Sequence, residues 1–149
     1  TRLPRSFELA ALQGLSFHFE TVNLGSEAHP NSAVFALKGK NGALRLTGCS
    51  VGGGRIKITE IYDFPLELTG ELASLITLHQ DRPGVIHQVT GILASRAVNI
   101  AEMRVSRRKR GKMAAMVIET DSVIPPDLVA DIAVLPQIIA VRSVPQIVG

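Results

Sequence analysis

Leu72-Ala73-Ser74-Leu75-Ile76-Thr77-Leu78-His79-Gln80-Asp81-Arg82-Pro83-Gly84-Val85 is the stretch on which the fold turns. Its apolar opening, Leu72 to Leu78, reads as a strand. The polar His79 to Gly84 segment then leads into a helix. Asp81 is placed to cap the free N–H groups of that helix, and Pro83 suits its first turn. Val85, Val89, Ile92 and Leu93 follow at helical spacing as far as Arg96. Downstream, Val98 to Arg107 and Met113 to Thr120 read as two strands joined by the polar turn Arg108-Lys109-Arg110-Gly111-Lys112. Pro125-Pro126-Asp127 opens a second helix carrying Leu128, Ile132 and Leu135, which Pro136 stops, and Ile138 to Val144 supplies a last strand. The order β-α-β-β-α-β is the split-βαβ, ferredoxin-like plan. Ala73 to Leu78 and Met113 to Ile118 are the most uniformly apolar segments and are expected at the centre of the sheet, with Val98 to Arg107 at its edge.

The first half has other habits. All five Phe and the only Tyr lie at or before Phe64, so the second half must build its core from aliphatic residues, and this shift in composition marks a domain boundary. Leu15 to Leu24 alternates as a strand would. Ser32 to Leu37, ended by Lys38-Gly39-Lys40-Asn41-Gly42, pairs through an Asn-Gly turn with Leu44 to Cys49. Arg55 to Ile61 is a further strand, and Phe7 to Gln13 a short helix. The expected fold class is α+β: a partial, mostly antiparallel β domain over residues 1–68, then a ferredoxin-like domain over 69–149. The chain opens Thr1-Arg2-Leu3-Pro4-Arg5 without an initiator Met, which suggests an excised fragment.

Composition narrows the chemistry. With 46% hydrophobic and 19% charged residues among 149, the chain carries too much apolar content to stay disordered. One cysteine, Cys49, allows no internal disulfide, CxxC pair, iron–sulfur cluster or structural zinc, each of which needs several convergent ligands. No apolar run approaches the roughly 20 residues that span a bilayer, so the cytoplasm is the expected compartment and no membrane partner is expected. His18, His29, His79 and His87 stand at no metal-ligand spacing, and Cys49 has no basic neighbour in sequence to activate it. No catalytic or metal-ligating residue is therefore assigned.

Three constellations remain. Ser50-Val51-Gly52-Gly53-Gly54-Arg55 offers backbone N–H groups and a guanidinium to an anion, yet lacks a P-loop ending and runs into a strand, so it also reads as a glycine turn or bulge. Arg107-Arg108-Lys109-Arg110 is basic, but no aromatic follows Phe64 to stack on a base. A solvated turn or an electrostatic contact with an acidic partner chain fits better than nucleic acid. The loop His79 to Gly84 lies at a helix N-terminus, and Asn99 ends the helix-to-strand turn. His79, Asp81 and Asn99, with Gly84, are expected to meet the ammonium and carboxylate of a small amino acid, although each alone also reads as an ordinary strand end, cap or turn residue.

Ser74 to Ile100, with His79-Gln80-Asp81-Arg82-Pro83-Gly84-Val85 and Ala97-Val98-Asn99-Ile100, resembles an ACT domain, an amino-acid-sensing module attached to many enzymes of amino-acid metabolism. His29-Pro30-Asn31-Ser32-Ala33 and Thr47-Gly48-Cys49-Ser50-Val51-Gly52-Gly53-Gly54-Arg55-Ile56 resemble the β chain of the bacterial iron–sulfur-dependent L-serine dehydratase. In that family an ACT domain follows a β domain akin to the allosteric substrate-binding domain of some D-3-phosphoglycerate dehydrogenases.

The resemblance implies a regulatory and structural subunit, non-catalytic alone, whose partner α chain holds a [4Fe–4S] cluster and converts L-serine to pyruvate and ammonia. It implies site residues His29, Asn31, Ser50, Gly52, Gly53 and Arg55 in the β-domain loop. Independently of the resemblance, the unpaired N–H and C=O groups of the Val98 to Arg107 edge strand can pair with the same strand of a second copy, so a homodimer with a continuous sheet is expected. The family's β chain starts earlier, with a Gly-Pro-Ser-Ser-Ser-His-Thr-like segment. In its serine-binding relatives a His and two Asn occupy the positions of His79, Asp81 and Asn99, so Asp81 stands where an Asn would. A carboxylate there repels a ligand carboxylate and sooner pairs with an ammonium or caps the helix. Serine binding and a purely structural role both stay open, as does the regulatory region of another enzyme such as D-3-phosphoglycerate dehydrogenase.

Overall fold

The computed structural model describes residues 3–40 and 42–147 and places them in two four-stranded antiparallel sheets and three α-helices. The first sheet is a meander in the order β1 (Ser32–Gly39), β2 (Gly42–Gly52), β3 (Arg55–Ile61) and β4 (Phe64–Leu68). β1 and β2 pair from Ser32↔Cys49 to Gly39↔Gly42. Asn41 of the expected Asn-Gly turn lies outside the described residues. β2 returns into β3 through Gly53-Gly54, both in the left-handed region at φ +62° and +76° that only glycine adopts freely.

β3 returns into β4 through Tyr62 and Asp63, also left-handed at φ +50° and +60°. Three contacts hold this turn without glycine: the Tyr62 hydroxyl donates to the Ala43 carbonyl at 3.2 Å, Arg45 pairs with the Asp63 carboxylate at 3.2 Å, and Arg108 donates to the Asp63 carbonyl at 2.8 Å. β4 occupies the stretch read from sequence as a domain boundary. Pro65 obscured it, and is tolerated because β4 is an edge strand.

The second sheet has the order β6 (Ile100–Arg107), β7 (Met113–Thr120), β5 (Ala73–Gln80) and β8 (Ile138–Val144), with α2 (Val85–Ser95) and α3 (Pro126–Ala133) between strands. This is the expected βαββαβ plan, and the two most apolar segments, β5 and β7, are its central strands. Successive residues of a strand point to opposite faces, and both faces here are covered. Leu75, Met116 and Ile118 pack beneath the helices against Val89, Leu93, Leu128 and Ile132. Ile76 and Val117 point the other way, against Ile61 and Leu68 of the first sheet. Arg96 at the end of α2 pairs with Asp127 and Asp131 of α3, tying the two helices together.

The segment from Leu15 to Leu24 departs from expectation: it forms no strand. A strand needs a ladder partner, and none lies beside it among the described residues. Phe17 and Phe19 instead fold back onto Phe7 of α1 (Ser6–Leu12), with ring centroids 5.2 and 6.4 Å from that of Phe7.

Leu93→Ala should lower stability by about 2–5 kcal/mol, since it empties a fully buried site between helix and sheet. Phe19→Ala, at a ring 81% exposed, should cost under about 1 kcal/mol. Urea unfolding of the two variants beside the parent chain checks the contrast.

Candidate functional site

β5 delivers His79 to the end of the second sheet, where the ring is 2% exposed and shares a hydrogen bond with the Thr77 hydroxyl at 3.1 Å. Burial pushes the imidazole pKa below its ordinary value, against a smaller opposing pull from Asp81. Asp81 does not cap α2. Its carboxylate crosses to the β6–β7 hairpin and accepts from the Gly111 N–H at 2.9 Å and from Arg107 at 3.2 Å. Those contacts, the Gly111 N–H first, hold the carboxyl below the usual carboxylate range. Pro83 likewise stays outside the first turn. The helix starts at Val85 behind Gly84, which takes φ +89°, and no side chain caps it. The corner therefore offers open N–H groups beside a carboxylate already committed to a neighbouring hairpin.

Asn99 is not at this corner. The ladder pairs His79 with Ala114 but Ile100 with Thr120, so Asn99 lies about six strand residues, or about 20 Å, along the sheet. There its amide donates to the Asp121 carboxylate, and its carbonyl accepts from the Asp121 N–H at 3.3 Å. A helix-to-strand turn returns the chain at the far end of the helix. That is the physical reason one chain does not close the expected trio.

The first-half residues are brought together in part. His29 accepts from the Asn31 N–H at 3.2 Å, and the Asn31 carbonyl accepts from the Ser50 N–H at 3.0 Å, so the His29–Asn31 loop is stitched to β2. Gly52 ends β2 and Gly53 begins the two-residue return into β3, and the register shifts between Ser50 and Gly52, as a β-bulge does. Arg55 pairs in register with Gly52 and is exposed. The glycine-turn reading accounts for this loop.

A feature absent from the sequence reading is a cavity of about 360 Å³ between the two sheets, walled by Leu44, Leu46, Ile58, Ile76, Leu78 and Ile147 among others. Its signal was the apolar alternation of β2 and β3. Its walls carry almost no polar surface, which suits an apolar group and not a zwitterion. Cys49 is buried, and no group of three or more His, Cys, Asp or Glu among the described residues is placed to hold a metal ion. The donor set of this chain does not fit an iron–sulfur cluster.

Comparison with known proteins agrees with this architecture. Residues 73–137, within the second half, match the family model described as the ACT domain. Over most of its length the chain is similar to L-serine dehydratase β chains. It is 34% identical to the probable L-serine dehydratase β chain of Bacillus subtilis over 96% of this chain and 64% of that protein. It is 33% identical to the L-serine dehydratase β chain of Peptoniphilus asaccharolyticus over 80% of this chain and 54% of that one. The chain thus spans between half and two-thirds of those relatives. D-3-phosphoglycerate dehydrogenase of Synechocystis is 32% identical over 76% of this chain, but only 20% of that enzyme is covered.

A buried neutral imidazole makes folding sensitive to acid. The unfolded chain takes up the His79 proton near pH 6.5 and the folded chain only at lower pH, so this stability is complete above that value and is lost as pH falls through it. His79→Gln, neutral throughout, should flatten the decline of the urea midpoint between pH 7.5 and about pH 5. An unchanged slope would show that His79 does not carry it.

Proposed function

We propose that this chain is the regulatory and structural part of the β subunit of a two-chain L-serine dehydratase, made of the C-terminal part of a substrate-binding-like β domain, 1–68, and an ACT domain, 69–149. The observation that carries the reading is the similarity to L-serine dehydratase β chains, which runs through both halves. The whole enzyme converts L-serine to pyruvate and ammonia, in the cytoplasm. The α chain holds the [4Fe–4S] cluster that the resemblance implies, and no residue of this chain takes part in the bond breaking. Among the described residues no helix is long and apolar enough to cross a membrane. Neither nucleic acid nor membrane is a partner in this reading.

His79, Asp81, Gly84 and Asn99 form an amino-acid site only between two copies. β6 is an edge strand with one side of its backbone unpaired, and Met103 and Val105 are 40% and 43% exposed along it. Antiparallel pairing of two β6 strands sets the Arg107 end of one copy against the Ile100 end of the other. Asn99 of the second copy then approaches the His79 and Asp81 corner of the first. His29, Asn31, Ser50, Gly52, Gly53 and Arg55 are proposed as a second small-molecule surface in the β domain. The overlap with D-3-phosphoglycerate dehydrogenase supports a regulatory region of such an enzyme as a second reading.

Co-expression with an α chain should yield pyruvate from serine, while this chain alone should yield none. Pyruvate from the isolated chain would sink the division of labour, and a dehydrogenase domain in the same polypeptide would favour the second reading. Mixing His79→Ala with Asn99→Ala chains provides a stricter check. Each variant alone should bind no serine by calorimetry. Random pairing leaves one intact site in each mixed dimer, so the mixture should recover about one quarter of the sites. No recovery, with both variants still dimeric, would count against a shared site.

A further inference from the structure

Six of the chain's 16 lysines and arginines fall within residues 104–112, and the structure divides them into two sets. Arg104 pairs with Glu102 at 2.7 Å, Arg107 with Asp81 at 3.2 Å, and Arg108 donates to the Asp63 carbonyl at 2.8 Å. Lys109, Arg110 and Lys112, at the tip, are exposed and make no ion pair or side-chain hydrogen bond with the described residues. The tip is nevertheless held in one shape. Gly111 is left-handed at φ +74°, its N–H donates to Asp81 at 2.9 Å, the Lys112 N–H donates to the Lys109 carbonyl at 3.3 Å, and the Asp81 N–H donates to the Lys112 carbonyl at 3.0 Å.

From this arrangement we propose that the tip of the β6–β7 hairpin is a docking surface for an acidic face of the partner α chain, with Lys109, Arg110 and Lys112 as its contact charges. The proposal rests on the reading of this chain as a β subunit. Three like charges within four residues repel one another, and the backbone bonds keep the three side chains rooted in one small patch. An anionic surface offsets the repulsion, and because the backbone of the tip is already ordered, only the side chains remain to be ordered on binding. Nucleic acid fits less well: no aromatic residue follows Phe64 in the sequence, so the hairpin and its sheet offer no ring on which bases would stack. The tip adjoins Asp81, so a partner seated there would border the amino-acid corner.

The test measures association of the full chain with the α chain over a range of salt concentrations. The parent chain should bind with an on-rate that falls as salt rises. Lys109→Glu with Arg110→Glu and Lys112→Glu should lower the low-salt on-rate by about tenfold and flatten its salt dependence. Lys38→Glu with Lys40→Glu, on the first sheet, should leave both unchanged. A neutral triple variant, all three to Gln, keeps the test open if charge reversal disturbs folding, and circular dichroism checks each chain. Failure of the parent chain to bind any α chain would overturn the subunit reading and this surface with it. Binding by the parent chain that the triple variants leave unaltered would overturn the surface alone. So would loss of co-purifying nucleic acid in those variants with α-chain binding unchanged.

Discussion

β5 and β7 are covered on both faces, and much of the rest follows from that constraint. In a sheet with one wet face, every second residue can be polar. Here Leu75 and Ile118 meet the helices while Ile76 and Val117 meet the first sheet, so the strands need an almost unbroken apolar run. Each fully buried aliphatic side chain contributes about 1.5–3 kcal/mol relative to exposure. Removing the first sheet would forfeit that at Ile76 and Val117 while baring an apolar surface. The two halves, so different in composition, are therefore one thermodynamic object at their contact.

The plan of the second half was legible because its periods were clean. Val85, Val89 and Leu93 mark a helix by spacing, and the apolar runs of β5 and β7 announced a central position. What the sequence obscured was governed by partners distant in the chain. Leu15 to Leu24 has a strand's alternation but finds aromatic contacts with Phe7 in place of a ladder. β4 hid behind Pro65, whose missing donor matters only for a strand with neighbours on both sides. Asp81 has the composition and position of a cap, yet a backbone N–H thirty residues away and an arginine compete successfully for it. Local propensity cannot register such a competitor.

The candidate site was grouped in the sequence by chemistry, and the structure brings only part of that group together. His79 and Asp81 do share a corner. Asn99 belongs to the opposite end because a helix traverses the length of its sheet, a fact implicit in the βαβ path and easily missed when residues are grouped by chemistry. In the first half, the glycines of Ser50 to Arg55 serve backbone conformation: a bulge followed by a turn whose left-handed residues leave little alternative to glycine.

The left-handed Tyr62–Asp63 turn carries a further implication. Its carbonyl is gripped by Arg108, the residue immediately after the Arg107 that grips Asp81. Adjacent links of one short chain segment thus grasp the His79 and Asp81 corner at one point and the opposing sheet at another. The two contacts start one peptide apart. The hairpin's side-chain contacts therefore join the His79 and Asp81 corner to the first sheet, although among the described residues no backbone ladder joins the two sheets.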